Sequence, residues 1–220
     1  MNNQGRAPLV DFSLYLITDL NGCAGRPLLK VVEEALRGGA RAVQLREKDL
    51  AGRELYELAI EMRFLTRQYD AKLFINNRID IALAVDADGV HLGERGIPVP
   101  QARKLLGEEK LIGVSCHGRE SAVAARDMGA DFITCGPVFF TPSKAAYGNP
   151  LGTAVLSEVT RLVRLPIFAI GGIDSRTAQD AVSTGARGIA LISAILAAEN
   201  PRRETETLLA LLNAADQQED

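Results

Sequence analysis

The sequence predicts a single-domain (β/α)8 TIM barrel, an α/β fold, from a recurring corner, a set of short apolar runs and the helical patterns between them. Four times a small-residue corner opens an apolar run: Gly39-Ala40-Arg41, Asp86-Ala87-Asp88, Gly129-Ala130-Asp131 and Gly185-Ala186-Arg187. Each interval between their alanines holds two strand and helix units, so four corners imply eight strands.

In chain order the strands fall at 14–18, 42–45, 73–76, 89–92, 112–115, 132–135, 167–170 and 188–192. All are short and nearly continuously apolar, as parallel strands covered on both faces are. Between the second and third, residues 53–69 set Leu55, Leu58, Ala59, Met62 and Leu65 at helical spacing. Residues 121–128 repeat the pattern with Ala122, Ala125 and Met128, and Leu208, Leu211 and Leu212 mark a closing helix after Asn200. Periodicity alone also admits an open sheet, but alternation from end to end favours closure. Residues 136–152 interrupt the pattern with Gly136, Pro137, Pro142, Gly148, Pro150 and Gly152, and read as a closing loop beyond the sixth strand. One domain is expected over 1–220, with residues 1–12 and 214–220 as flexible ends.

A net charge of −3, from 25 basic and 28 acidic residues, gives no basic field for nucleic acid or an acidic membrane. Residues 1–12 lack the apolar core of a secretion signal, and residues 189–198 supply about half of the roughly 20 apolar residues a membrane span needs. Cys23, Cys116 and Cys135 are odd in number and show no metal-type spacing, which points to a reducing cytoplasm and to buried thiols.

Barrels carry their chemistry where the strands end, and polar residues cluster there. Beyond the second strand Gln44, Arg46 and Lys48 alternate to one side, a cradle for an anion; the alternative is a rim in which Arg46 or Lys48 pairs with Glu47 or Glu94. Thr141, Ser143 and Lys144 arrive from the loop after the sixth strand. Gly171-Gly172-Ile173-Asp174-Ser175 offers backbone N–H groups at a turn into a helix capped by Asp174 or Ser175, and Ser193 follows the eighth strand. Two anionic groups are therefore expected at one mouth.

Six segments in order make the chain resemble the thiamine phosphate synthase family over residues 14–195. They are Val43-Gln44-Leu45-Arg46-Glu47-Lys48, Ile75-Asn76-Asn77-Arg78, Asp88-Gly89-Val90-His91-Leu92-Gly93, Gly113-Val114-Ser115-Cys116-His117, Gly136-Pro137-Val138-Phe139-Phe140-Thr141-Pro142-Ser143-Lys144 and Ala169-Ile170-Gly171-Gly172-Ile173. The resemblance implies a transferase of thiamine biosynthesis that couples hydroxymethylpyrimidine diphosphate with hydroxyethylthiazole phosphate and releases pyrophosphate. It implies that Arg46, Lys48, Asn76 and Lys144 hold the diphosphate, with Thr141 and Ser143 on the closing loop. Gln44 would orient the pyrimidine, Ser115 would assist at the leaving group, and Gly172, Ile192 and Ser193 would bind the thiazole phosphate. A homodimer is in keeping with the family.

The family also implies magnesium, and here the pattern departs. Its first metal aspartate is replaced by Asn77 and its second aligns with Gly96, while Glu94 stands where glutamine is usual. Asn77 and Glu94 are the expected metal residues, with the Glu94 carboxylate as a substitute ligand. The neighbouring thiazole tautomerase branch uses a histidine where this chain has Pro137, so an isomerase of that type is one alternative. A barrel that binds thiamine precursors without turnover is another. His117, after the fifth strand, is either an acid or base or a hydrogen-bonded support.

Overall fold

β1 (Leu14–Ile17) pairs with both β2 (Ala42–Leu45) and β8 (Gly188–Leu191), and this double pairing closes the sheet. The other strands follow in chain order: β3 (Lys72–Asn76), β4 (Gly89–Leu92), β5 (Leu111–Cys116), β6 (Phe132–Cys135) and β7 (Ile167–Ile170). All pairs are parallel and each strand neighbours the next, giving a closed eight-stranded barrel. The computed structural model describes residues 10–142 and 148–216. The expected strands are all present, with ends moved by no more than one residue.

The helices are α1 (Leu28–Arg37), α2 (Gly52–Gln68), α3 (Ile79–Ala84), α4 (Val99–Leu106), α5 (Arg119–Asp127) and α6 (Gly152–Leu162), then α7 (Ala178–Val182), α8 (Ser193–Leu196) and α9 (Pro201–Asp216). Among the described helices none is long and apolar enough to cross a membrane. Their apolar stripes pack on the outward residues of the strands: Leu55, Ala59 and Met62 of α2 join Val43, Leu45, Leu73 and Ile75 in the larger core. At roughly 1.5–3 kcal/mol for each large side chain removed from water, this layer is the main favourable term in the fold.

The barrel interior forms a second core. Phe12, Tyr15, Phe74, Phe132 and Phe168 are buried together, and the Phe12 ring stacks on Phe168 with centroids 4.9 Å apart. Phe12 also meets Tyr15, Phe74 and Phe132. The expected extension over 1–12 is thus corrected at its inner end, because Val10 and Phe12 belong to the barrel floor; a free barrel floor would leave those rings in contact with water. The start of the tail expected from residue 214 overlaps α9, which runs to Asp216. Residues 1–9 and 217–220 lie outside the described residues.

Two of the corners work by charge. Asp131 Oδ2 accepts the Ile112 backbone N–H (2.7 Å) and pairs with Arg103 (2.6 Å), both side chains only 19% exposed. Asp88 does the same for Leu73 N–H and Arg63. Each aspartate fastens the foot of the preceding strand of its pair to a helix on the outside. Asp131→Ala is expected to lower stability by about 2–4 kcal/mol, because it removes the charge partner of a largely buried guanidinium and leaves a strand N–H without its acceptor. Phe12→Ala should cost about 3–5 kcal/mol through the cavity it opens. Urea midpoints check both, and a loss below about 1 kcal/mol in either would remove the role given to that residue.

Candidate active site

Above the aromatic floor, inward positions of five strands carry polar groups that bond to one another. The Gln44 side-chain N–H donates to the Tyr15 oxygen (3.2 Å), and that oxygen lies 3.5 Å from His91 Nδ1. On the other side of the imidazole, Nε2 is 3.1 Å from Ser115 Oγ and 3.4 Å from Thr134 Oγ1. Since Tyr15 accepts from Gln44, its own proton is directed at His91 Nδ1, and Nε2 carries the ring proton and donates toward Ser115. The Ser115 proton is left to point to the mouth.

His91 is buried completely, and that burial pushes its pKa down to about 3, with the Arg46 guanidinium acting in the same direction. It is therefore a neutral imidazole at physiological pH. Burial likewise raises the Tyr15 phenol well above its ordinary value.

Arg46 follows the last residue of β2 and is half-buried; its backbone N–H donates to Thr18 Oγ1 (2.9 Å). Glu47 turns the other way, accepting from Thr18 Oγ1 (2.5 Å) and from Leu20 N–H (2.9 Å). Burial raises the Glu47 pKa and outweighs those two donors. Arg46 enters no ion pair among the described residues, although its charge lowers the Glu47 pKa as the smallest of the contributions there.

The remaining expected residues that are described sit at the same end of the barrel. Asn76 closes β3 and is half-buried, Lys48 is exposed at the rim, and Thr141 is half-buried past β6. Ser143 and Lys144 lie outside the described residues. Ile192 follows β8 and packs against the interior cluster, and Ser193 opens the short α8. Gly172 has a left-handed φ of 66°, and a Cβ there would collide with the Phe140 carbonyl. Glycine at this position therefore lets the ends of β6 and β7 touch, where Val138 N–H donates to Ile170 O and Phe139 N–H to Gly171 O. The expected cap at Asp174 or Ser175 is corrected: α7 starts at Ala178, and Asp174 instead closes a turn by accepting from Arg176 N–H (2.9 Å) and pairing with its guanidinium.

His117 Nδ1 bonds the Gly136 carbonyl (2.7 Å) on the exposed rim, tying β5 to β6. Cys116 and Cys135 are register partners, and burial pushes their thiols up to about 12 and about 11, so neither is a nucleophile near neutrality.

The two expected metal residues belong to no carboxylate cluster among the described residues. Asn77 Oδ1 is already an acceptor for Gly93 N–H (2.8 Å), and Glu94 is exposed. Among the described residues no group of three or more His, Cys, Asp or Glu is placed to hold an ion. A hard cation that wants several carboxylate and water oxygens does not fit this donor set. The metal roles expected of Asn77 and Glu94 thus have no such cluster behind them among the described residues.

Sequence reasoning quoted His91 without giving it a part and passed over Tyr15 and Thr134. The available signal was polar residues at alternate positions in otherwise apolar strands, all on the face that also carries Gln44 and Ser115.

A family model described as thiamine monophosphate synthase matches residues 14–195. A Geobacter sulfurreducens protein provisionally assigned as a thiamine-phosphate synthase is 60% identical over 203 residues, covering 92% of this chain and 95% of that one. The thiamine-phosphate synthase of Clostridium novyi is 44% identical, over 90% of this chain and 98% of its own. Among solved structures, the thiamine phosphate pyrophosphorylase of Pyrococcus furiosus superposes with a TM-score of 0.85 at 40% identity, covering 92% of this chain and 96% of that one.

Neutral His91 makes stability depend on pH with a definite sign. Its folded pKa lies below the ordinary 6.5, so its contribution is whole above that value and is lost as pH falls toward about 3. Between pH 6.5 and 5 the native protein should lose about 2 kcal/mol more than His91→Gln, read from urea midpoints. Equal losses would show that His91 takes up a proton in the folded state.

Proposed function

The chain belongs to the thiamine monophosphate synthase family, and from that premise we propose that it joins hydroxymethylpyrimidine diphosphate to hydroxyethylthiazole phosphate, giving thiamine phosphate and pyrophosphate. The observation that carries this reading is Arg46: a half-buried guanidinium at the barrel mouth, with no ion pair among the described residues, beside a neutral hydrogen-bonded layer.

In the proposed reaction the thiazole nitrogen supplies an electron pair to the pyrimidine methylene carbon. The carbon–oxygen bond to the diphosphate breaks, and its pair leaves on the departing oxygen. No protein nucleophile is needed, so the protein's task is to hold two substrates together and to meet the charge that develops on the leaving group. Arg46, Lys48, Asn76 and Lys144 are assigned to the diphosphate, with Thr141 and Ser143 beside it. Ser115 is assigned to the leaving oxygen, its hydroxyl held by the His91 N–H so that its own proton is available there. Gln44 is assigned to the pyrimidine, and Gly172, Ile192 and Ser193 to the thiazole phosphate. A cationic imidazole at position 91 would repel Arg46 and compete for the anion, and the neutral ring avoids both.

Small-molecule substrates and buried, unpaired thiols support placing this activity in a reducing cytoplasm.

Incubation with both substrates should yield thiamine phosphate and pyrophosphate in equal amounts by chromatography. Arg46→Ala should lower kcat/KM on the order of 10²-fold or more, since one charge-assisted contact to the leaving group is worth about 3 kcal/mol. Substrate binding without product would refute the transferase reading, and an Arg46→Ala enzyme with normal turnover would refute the role of that residue.

A further inference from the structure

We propose that this chain binds its diphosphate substrate as the metal-free anion, with a contact among Asn77, Gly93 and Gly96 standing where a magnesium site would be. The inference rests on the diphosphate reading above.

The geometry of the turn after β4 carries it. Asn77 is in the left-handed region with φ 59°, a conformation asparagine tolerates better than most side chains. Its backbone N–H donates to His91 O (3.0 Å) and its Oδ1 accepts from Gly93 N–H (2.8 Å), so the side-chain oxygen is turned back onto the turn. Gly96 N–H donates to Gly93 O (2.8 Å) and closes that turn. A Cβ at position 96 would lie 2.8 Å from Asn77 Oδ1 and 3.0 Å from Gly93 O, inside normal contact. The two residues are therefore fitted to each other: the space that the amide oxygen fills is space that any side chain at 96 would need. Asn77 acts as a staple for the turn, and a side chain at 96 would have to displace that amide oxygen.

The charges balance. Two carboxylates and a magnesium ion together contribute no net charge to the pocket, and neither does an amide with a glycine. The field that the diphosphate meets from this corner is thus similar in the two arrangements, and its binding falls to fixed cations such as Arg46, whose planar fork suits phosphate oxygens. Had the carboxylates stayed without the ion, they would repel the substrate; had the ion stayed without them, the donor set would hold it poorly.

Titration calorimetry of the full chain with inorganic pyrophosphate, in EDTA and in millimolar magnesium, tests this without reference to turnover. The expected dissociation constants agree within about threefold, or weaken in magnesium because the ion sequesters the ligand in solution. Pyrophosphate binding that appears only with magnesium, or tightens by about tenfold or more with it, overturns the proposal while leaving the diphosphate reading intact. No binding in either buffer overturns both. The double substitution Asn77→Asp with Gly96→Asp should bind pyrophosphate at least about tenfold more weakly in EDTA and recover on adding magnesium. Asn77→Asp alone keeps the residue volume and should show the loss without the recovery. Variants that bind as the native chain does in EDTA also overturn the proposal.

Discussion

A closed eight-stranded barrel has to fill its own interior, and here aromatic rings fill one end of it. Phe12, Tyr15, Phe74, Phe132 and Phe168 interlock with centroids 4.9 to 5.9 Å apart, leaving that end with no route for water. Gln44, His91, Ser115 and Thr134 bond to one another or to Tyr15 toward the other end, where the strands finish. His91 sits on the boundary, with its ring 5.7 Å from Tyr15 and 5.8 Å from Phe132, and its Nε2 facing Ser115. The same rings that complete the core thus fix the protonation state of the residue that orients the mouth. Packing and electrostatics are coupled through one side chain.

Most of the architecture was legible because parallel strands covered on both faces carry an almost unbroken apolar signal, and Ala40, Ala87, Ala130 and Ala186 mark where strands begin. What those runs do not reveal is which alternate residues face the barrel axis and which face the helices. Val43 and Gln44 are adjacent and both buried, yet one lies in the outer core and the other in the polar layer. Phe12 was taken for part of an extension because its partners, Phe74, Phe132 and Phe168, come from strands remote in sequence. The role of Asp174 was misread for a local reason: a carboxylate before a helix suggests a cap, but the nearby Arg176 engages it before the helix starts.

The site was legible as a set of residue types at strand ends, and the turn chemistry was not. Sequence places Arg46, Asn76, Ser115 and Gly172 at one mouth once the strands are known. It cannot show that Glu47 spends its carboxylate on Thr18 and Leu20, which leaves Arg46 outside any described ion pair. Nor can it show that the amide at 77 bonds the turn after the next strand. Glu94 looked like a replacement ligand by its position in the chain. In space it is an exposed carboxylate, with no companions among the described residues placed to complete a metal site.

Asn77 and Gly96 are best understood as one change. With an aspartate at 77 and glycine at 96, a lone carboxylate would lie near the diphosphate with too few partners to hold magnesium, and its charge would oppose the substrate. With asparagine at 77 and a side chain at 96, the new Cβ would press on the amide oxygen and break the staple to Gly93. An aspartate at 77 would put an oxygen in the same place, so the contact with a side chain at 96 is common to both residues, and what separates the two arrangements is charge. On the reading proposed above, a pocket that meets a diphosphate with fixed guanidinium and ammonium groups tolerates losing a divalent ion only if the ion's own ligands are lost with it, because carboxylates left behind would repel the substrate.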